Sequence, residues 1–280
     1  MALEEAQSKV EEWLVKTPLY EEIAGSDPGD CYNAIQALLF RAAPFDAHCV
    51  ECKGPATFTP ELDEARRTMI LMGPRGAAEN YSRQQTLFTV TARCARNVTH
   101  RMEFVFLHRF KKEVKKIGQY PSLADLSKPE TSQFVKVLGQ DRVRELNTAI
   151  GLAAHGVGAG SYIYLRRIFE SLVEEAHGLA RSDANWDEDT YQRLRVVERV
   201  AMLNAHLPAF LVEHPQLYGI LSKHIHELSE DECLQNFDAM KEAILIIAWD
   251  KLKVHEEQER RERTAKALQK VGSTMNGSGT

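Results

Sequence analysis

The sequence predicts an α+β protein, mostly α, in which a small β module precedes an antiparallel helical bundle that ends in a long helix. Three observations carry that expectation. Residues 45–54 and 94–100 bring cysteines and a histidine to turns at metal-ligand spacing. The runs flanking the second turn, Leu87–Ala92 and Met102–His108, are rich in β-branched and aromatic residues and alternate in polarity. Beyond residue 120 the apolar residues recur at helical spacing, most clearly in Gly156–His177. There Tyr162, Leu165, Ile168, Phe169, Leu172, Val173 and Ala176 make one stripe, and Arg166, Arg167, Glu170, Glu174 and Glu175 lie opposite.

Composition bounds the class. With 280 residues, 44% hydrophobic and 27% charged, the chain suits one large domain or two medium ones. No apolar run approaches the roughly 20 residues of a membrane-spanning helix. The acidic, amphipathic start MALEEAQSKVEEWL is unlike a secretory signal, so a cytoplasmic location and no membrane partner are expected. Five cysteines, odd in number and irregular in spacing, argue against a disulfide framework and for free thiols or metal ligands in a reducing compartment.

In chain order, residues 2–16 predict an amphipathic helix with Leu3, Val10, Trp13 and Leu14 as its apolar set and Thr17-Pro18 as its stop. Asp30–Leu39 predicts a second helix, with Cys31 as a small packing residue because no second ligand stands near it. Cys49 and Cys52 then form a Cys-x2-Cys turn followed by Gly54, the arrangement that points two thiolates at one ion. That is half a site. Cys94 and His100, at the tip of the predicted hairpin, supply the other half, and His48 and His108 are alternatives to His100. The four make a zinc-ribbon-like module with Zn2+ bound by protein ligands alone, hence structural. The alternative is a cysteine-rich loop without a metal. Thr57–Gln85, between the halves, shows no sustained periodicity and is expected to be a loop-rich insertion.

Basic residues accumulate from Arg66 to Lys116, twelve against the three acidic Glu79, Glu103 and Glu113, on a chain of net charge -5. Arg93, Arg96, Arg101, Lys111 and Lys112 are the candidate nucleic-acid contacts, since a locally basic surface suits a phosphate backbone or an acidic protein partner. The other reading is a solvated face that balances the acidic N-terminal helices.

The punctuation Gly118–Ser122 and the polar run after it place a domain boundary near residue 120. Helices are expected at Gln140–Ala153, Glu188–Leu207 and Pro215–Leu228, with a long one from Asp231 onward. The run GVGAGS lacks the Gly-Lys-Ser/Thr ending and the preceding strand of a phosphate loop, so its glycines serve close packing and offer a surface for a homodimer. Ser229 and Glu232 form a capping box that opens the last helix. Past Val254 that helix becomes charged throughout and projects as a partner-contacting extension, and the final STMNGSGT reads as a disordered tail.

The pair YLRRIFESL and SKHIHELSEDE, followed by a long helix, resembles the HEPN superfamily over roughly residues 140–255. The whole chain resembles a bacterial family that joins a zinc ribbon to such a bundle. The resemblance implies a dimeric helical bundle and a link to toxin or antiviral defence systems, either as a metal-independent ribonuclease or as a non-catalytic binding module. HEPN nucleases place an Arg shortly before a His on one helix, yet Gln216–Lys223 holds no arginine before His226. Arg93 and His100 have the spacing but sit in the predicted hairpin. A displaced site would draw on Arg166, Arg167, Glu170, His226 and Glu227. His226, at a helix end, equally suits a structural hydrogen bond to the last carbonyls. The expected organisation is therefore 1–119 for the N-terminal helices and zinc-ribbon-like module, 120–256 for a HEPN-like bundle and 257–280 for the extension and tail. A non-enzymatic binding module is favoured, with the ribonuclease as the alternative, because the acid–base spacing is missing.

Overall fold

The structure, a computed structural model, describes residues 1–40, 43–61, 86–109, 112–214, 216–222 and 228–277. The chain forms two compact units, residues 1–129 with 150–161 and residues 130–149 with 162–280.

The first unit starts with α1 (Leu3–Ser8) and α2 (Val10–Val15), so the expected N-terminal helix is broken at Lys9. The short β1 (Glu22–Ala24) and α3 (Pro28–Phe40) follow. Cys31 is buried in α3, as its small apolar character requires, and its thiol donates to the Gly25 carbonyl at 3.0 Å. Then come β2 (Phe45–Cys49), β3 (Gly54–Pro60), β4 (Thr86–Cys94), β5 (Arg101–Arg109) and β6 (Glu113–Tyr120). They form one antiparallel sheet in the order β1-β6-β5-β4-β3-β2 that curls as a half-barrel.

Strand alternation gives the sheet one apolar face. Phe45, Phe58, Phe88, Val90, Phe104 and Phe106 point inward and join Trp13 and Leu14 of α2 and Ile35 and Leu38 of α3 in a single core. Phe45 stacks on Phe58 at 6.0 Å and Phe88 on Phe106 at 5.3 Å. Thr57, Thr59, Arg93 and Arg101 take the opposite face and are exposed.

The remaining helices are α4 (Leu123–Ser132), α5 (Val135–Leu138), α6 (Gln140–Ala154), α7 (Gly158–Ala180), α8 (Glu188–Arg193), α9 (Val196–Met202), α10 (Ala209–Glu213), α11 (Gln216–Ser222) and α12 (Glu230–Gly277). In the second unit the predicted α7 stripe is buried apart from the half-buried Val173, and Phe237, Met240, Ile244 and Ile247 of α12 are buried with it. Tyr162 donates its hydroxyl to the Ile220 carbonyl at 3.2 Å, and Phe134 meets Trp249 edge-on at 5.2 Å.

Two parts of the expected architecture are corrected. The β part is not a small ribbon but a six-stranded sheet; it takes in residues 113–120, partly read as punctuation, and residues 54–60, partly read as insertion. The α+β class holds, at 60% helix, but no HEPN-like antiparallel bundle is shown. A bundle needs long helices to carry continuous apolar stripes. The span expected to hold the third and fourth long helices contains α8 to α11, of 6, 7, 5 and 7 residues.

The break after α8 has a local cause. Arg199 donates to the carbonyls of Tyr191, Gln192 and Leu194, which closes the end of α8 with a side chain and lets the backbone turn away at Leu194. The glycine run also has a use within the chain. Gly156 has φ +77°, the left-handed turn that leaves α6, and a side chain on Gly160 would press on Val157 at 3.0 Å. No helix among the described residues is long and apolar enough to cross a membrane.

Candidate metal centre

Two hairpin ends build the site. β2 and β3 pair from Phe45–Phe58 to Cys49–Gly54, so Cys49 ends one strand and Cys52 sits in the turn. That turn is closed by the Cys52 N–H on Cys49 Sγ at 3.3 Å and by Lys53 at φ +54°. The left-handed residue is thus Lys53, and Gly54 opens β3. In the second hairpin Arg93 pairs with Arg101, the Cys94 N–H donates to the His100 carbonyl at 3.1 Å, and residues 95–100 form the tip. The β3–β4 register sets Phe58 against Cys94 and brings the two tips together.

The four donor atoms of Cys49, Cys52, Cys94 and His100 all lie within 4.8 Å of one another, the span of a single ion's coordination sphere. Cys52 Sγ is 3.8 Å from Cys94 Sγ and 3.1 Å from His100 Nδ1, and Cys49 Sγ is 3.6 Å from the same nitrogen. Cys49 and Cys94 are buried, whereas Cys52 and His100 are half-buried.

Electrostatics distinguish the thiols. Burial pushes the Cys52 thiol up to about 11, and the crowding of Cys49 and Cys94 adds to it. Burial also disfavours the Cys94 thiolate, but the N–H groups of Asn97 and Arg96 and the neighbouring thiols outweigh it and bring its pKa below the ordinary thiol value. Backbone amides aimed at a sulfur stabilise it as a thiolate, the form that ligates a metal.

One residue missed in the sequence completes the site. Glu51, inside the Cys-x2-Cys turn, places Oε2 at 3.3 Å from His100 Nε2. With Nδ1 facing the thiols, the ring proton belongs on Nε2, where this carboxylate accepts it, an arrangement that fixes tautomer and ring orientation. Asn97 also approaches Nε2, at 3.0 Å through its amide nitrogen, while its oxygen accepts from Thr99. That contact competes with the Nε2–H form, and the soft donor set around Nδ1 decides for Glu51 as the acceptor. Position 51, a carboxylate between the two cysteines, was the available signal.

The alternative histidines are placed elsewhere. His48 pairs with Pro55 on the edge strand, and burial lowers its pKa; His108 is buried on the inner face of β5. Of the candidate nucleic-acid contacts, Arg93, Arg96 and Arg101 are exposed around the hairpin tip, and Arg93 pairs with Glu61. Arg96 lies over Gly54, so that a side chain there would meet its guanidinium at 3.4 Å. Lys112 is exposed in the β5–β6 turn, and Lys111 lies outside the described residues.

Of the other candidate cluster, Arg166, Arg167 and Glu170 are among the described residues. Arg166 pairs with Glu170 and Arg167 with Glu145, each at 2.7 Å, as ordinary surface ion pairs. His224, His226 and Glu227 lie outside the described residues. No protein-family model, no curated protein and no solved structure matches this chain.

Proposed function

We propose that Cys49, Cys52, Cys94 and His100 hold one structural Zn2+ and that the sheet end they clamp is a non-enzymatic, nucleic-acid-contacting surface. The observation that carries the metal is the spacing of the donors. Tetrahedral zinc with bonds of about 2.3 Å to sulfur and about 2.0 Å to nitrogen separates sulfurs by roughly 3.8 Å and sulfur from nitrogen by roughly 3.5 Å. Cys52–Cys94 at 3.8 Å and Cys49–His100 at 3.6 Å fit those values, while Cys52–His100 at 3.1 Å is shorter, so the ring would shift outward slightly on binding. Three thiolates and an imidazole favour zinc over hard cations, and four protein ligands leave no position for substrate.

The surface reading rests on charge. Arg93 and Arg101 stand directly opposite across β4 and β5; Glu61 pairs with Arg93, which leaves Arg101 for an outside anion. Arg96 and Arg101 make no ion pair among the described residues. The aromatics of β2 to β5 point inward and the exposed Tyr120 ends β6, so the outer face near the metal offers threonine and arginine rather than stacking rings, which suits phosphate contact without base readout. Binding should therefore be indifferent to sequence and fall steeply with salt. Fluorescence anisotropy with a labelled oligonucleotide tests this. Arg96→Glu with Arg101→Glu should abolish binding at low salt with the metal retained, and a variant that binds as tightly as wild type would refute the surface assignment.

A further inference from the structure

The metal centre is not uniform toward an oxidant. Its sulfurs belong to two hairpins: Cys49 and Cys52 to the β2–β3 turn, and Cys94 to the end of β4. Cys49 and Cys94 are 2% and 0% exposed, while Cys52 is half-buried and is the thiol of the cluster that solvent reaches best. Cys49 Sγ and Cys52 Sγ both face His100 Nδ1, at 3.6 and 3.1 Å; Cys49 Sγ is engaged by the Cys52 N–H at 3.3 Å, and Cys52 Sγ is 3.8 Å from Cys94 Sγ. The first sulfur a peroxide meets therefore has its partner on the opposite hairpin.

We infer that Cys52 and Cys94 are a peroxide-oxidisable pair, joined by a disulfide that displaces the metal and takes over its clamping of the two hairpins. This rests on the metal reading above for the displacement step, and on the sulfur geometry alone for the pairing. As a metal ligand Cys52 would be a thiolate; that thiolate attacks one oxygen of hydrogen peroxide, breaking the O–O bond and giving a sulfenic acid and hydroxide, which takes up a proton to become water. The Cys94 thiolate then attacks the Cys52 sulfur and the S–O bond breaks, releasing a second hydroxide that also becomes water. The two thiolates lose two electrons in total, the peroxide gains them, and two protons are consumed. An ion left with Cys49 and His100 alone has lost half its ligands and dissociates.

The choice of partner matters structurally. A Cys49–Cys52 bond would lie within one turn and leave the two tips unconnected. A Cys52–Cys94 bond links the same tips that the metal links, so the oxidised chain stays folded while Cys49 and His100 are released beside Arg96 and Arg101. Cys31 and Cys233 are buried outside the cluster and serve as internal references.

The test uses the full chain. Its metal content is measured first, it is then titrated with hydrogen peroxide, released metal is followed with a chromogenic chelator, and unreduced peptides are sequenced by fragmentation mass spectrometry. The expected result is a Cys52–Cys94 cross-link as the main product, about one metal released per cross-link, free Cys31 and Cys233, and reversal by dithiothreitol with added zinc. A main product of Cys49–Cys52, of sulfinic acid at Cys52, or of oxidised Cys31 or Cys233 would overturn the pairing. If the first measurement finds no metal, the metal reading fails by itself, and the cross-link in the metal-free chain still decides the pairing.

Discussion

At the scale of single residues, two side chains do what their type rarely does. Glu51 is a surface carboxylate whose use comes from the imidazole behind it. Holding the Nε2 proton of His100, it keeps Nδ1 free to ligate, and outer partners of this kind contribute about 10- to 100-fold in metal affinity. Glu51→Ala should weaken zinc binding by about tenfold in a chelator competition while leaving the fold intact; unchanged affinity would mean that the ring is oriented by its backbone alone.

Lys116 is fully buried, with Nζ donating to the carbonyls of Trp13 and Leu14 at 3.1 Å each. Burial lowers its pKa to about 7, against a smaller opposing pull from Glu21. Between that value and the ordinary lysine range of about 10.5, the unfolded chain holds a proton that the folded chain does not, so stability rises with pH across this window by up to about 1.4 kcal/mol per pH unit. Below pH 7 both states are protonated and the contribution is flat. Denaturant midpoints at pH 7 and pH 9.5 should climb in wild type and climb less in Lys116→Met; equal slopes would show that Lys116 is not the group responsible.

At the scale of elements, the local signals were legible and the long-range ones were not. The Cys-x2-Cys turn and the β4–β5 hairpin are specified by neighbours in sequence, so ligands and strands could be read together. The capping box was legible for the same reason: Ser229 Oγ accepts from the Glu232 N–H at 3.2 Å and the Glu232 carboxylate accepts from the Ser229 N–H at 2.8 Å. Ser229→Ala should cost about 1 kcal/mol in chemical denaturation with metal content unchanged, and no loss of stability would mean that packing alone sets the start of α12.

Strand β6 was hidden because its inward positions are Val114 and Lys116, and a lysine at a core position defeats the alternation that marks a strand. The third predicted helix is shorter than its apolar spacing suggests because its break depends on Arg199 reaching back to the Tyr191, Gln192 and Leu194 carbonyls, a contact that composition does not announce. His100 was separable from His48 and His108 only in three dimensions, where strand alternation turns the other two away from the cluster.

At the scale of the whole molecule, the cysteines divide by task. Cys31 is a small apolar filler in α3 and Cys233 is buried in α12, while the other three converge from two hairpins on one histidine. The charges divide as well: a chain of net charge -5 keeps Arg96 and Arg101 without ion pairs beside that convergence, among the described residues. Both divisions make sense if a metal fixes the tips of β2–β3 and β4–β5 and the arginines around it are held for an anionic partner.

The most direct test of that account is the metal content of the protein purified without chelator, measured by elemental analysis together with Cys94→Ser. Wild type should hold about one zinc per chain, and Cys94→Ser should lose it with the helical circular-dichroism signal retained. A wild-type chain without metal, or a Cys94→Ser chain that keeps a full equivalent of zinc, would contradict it.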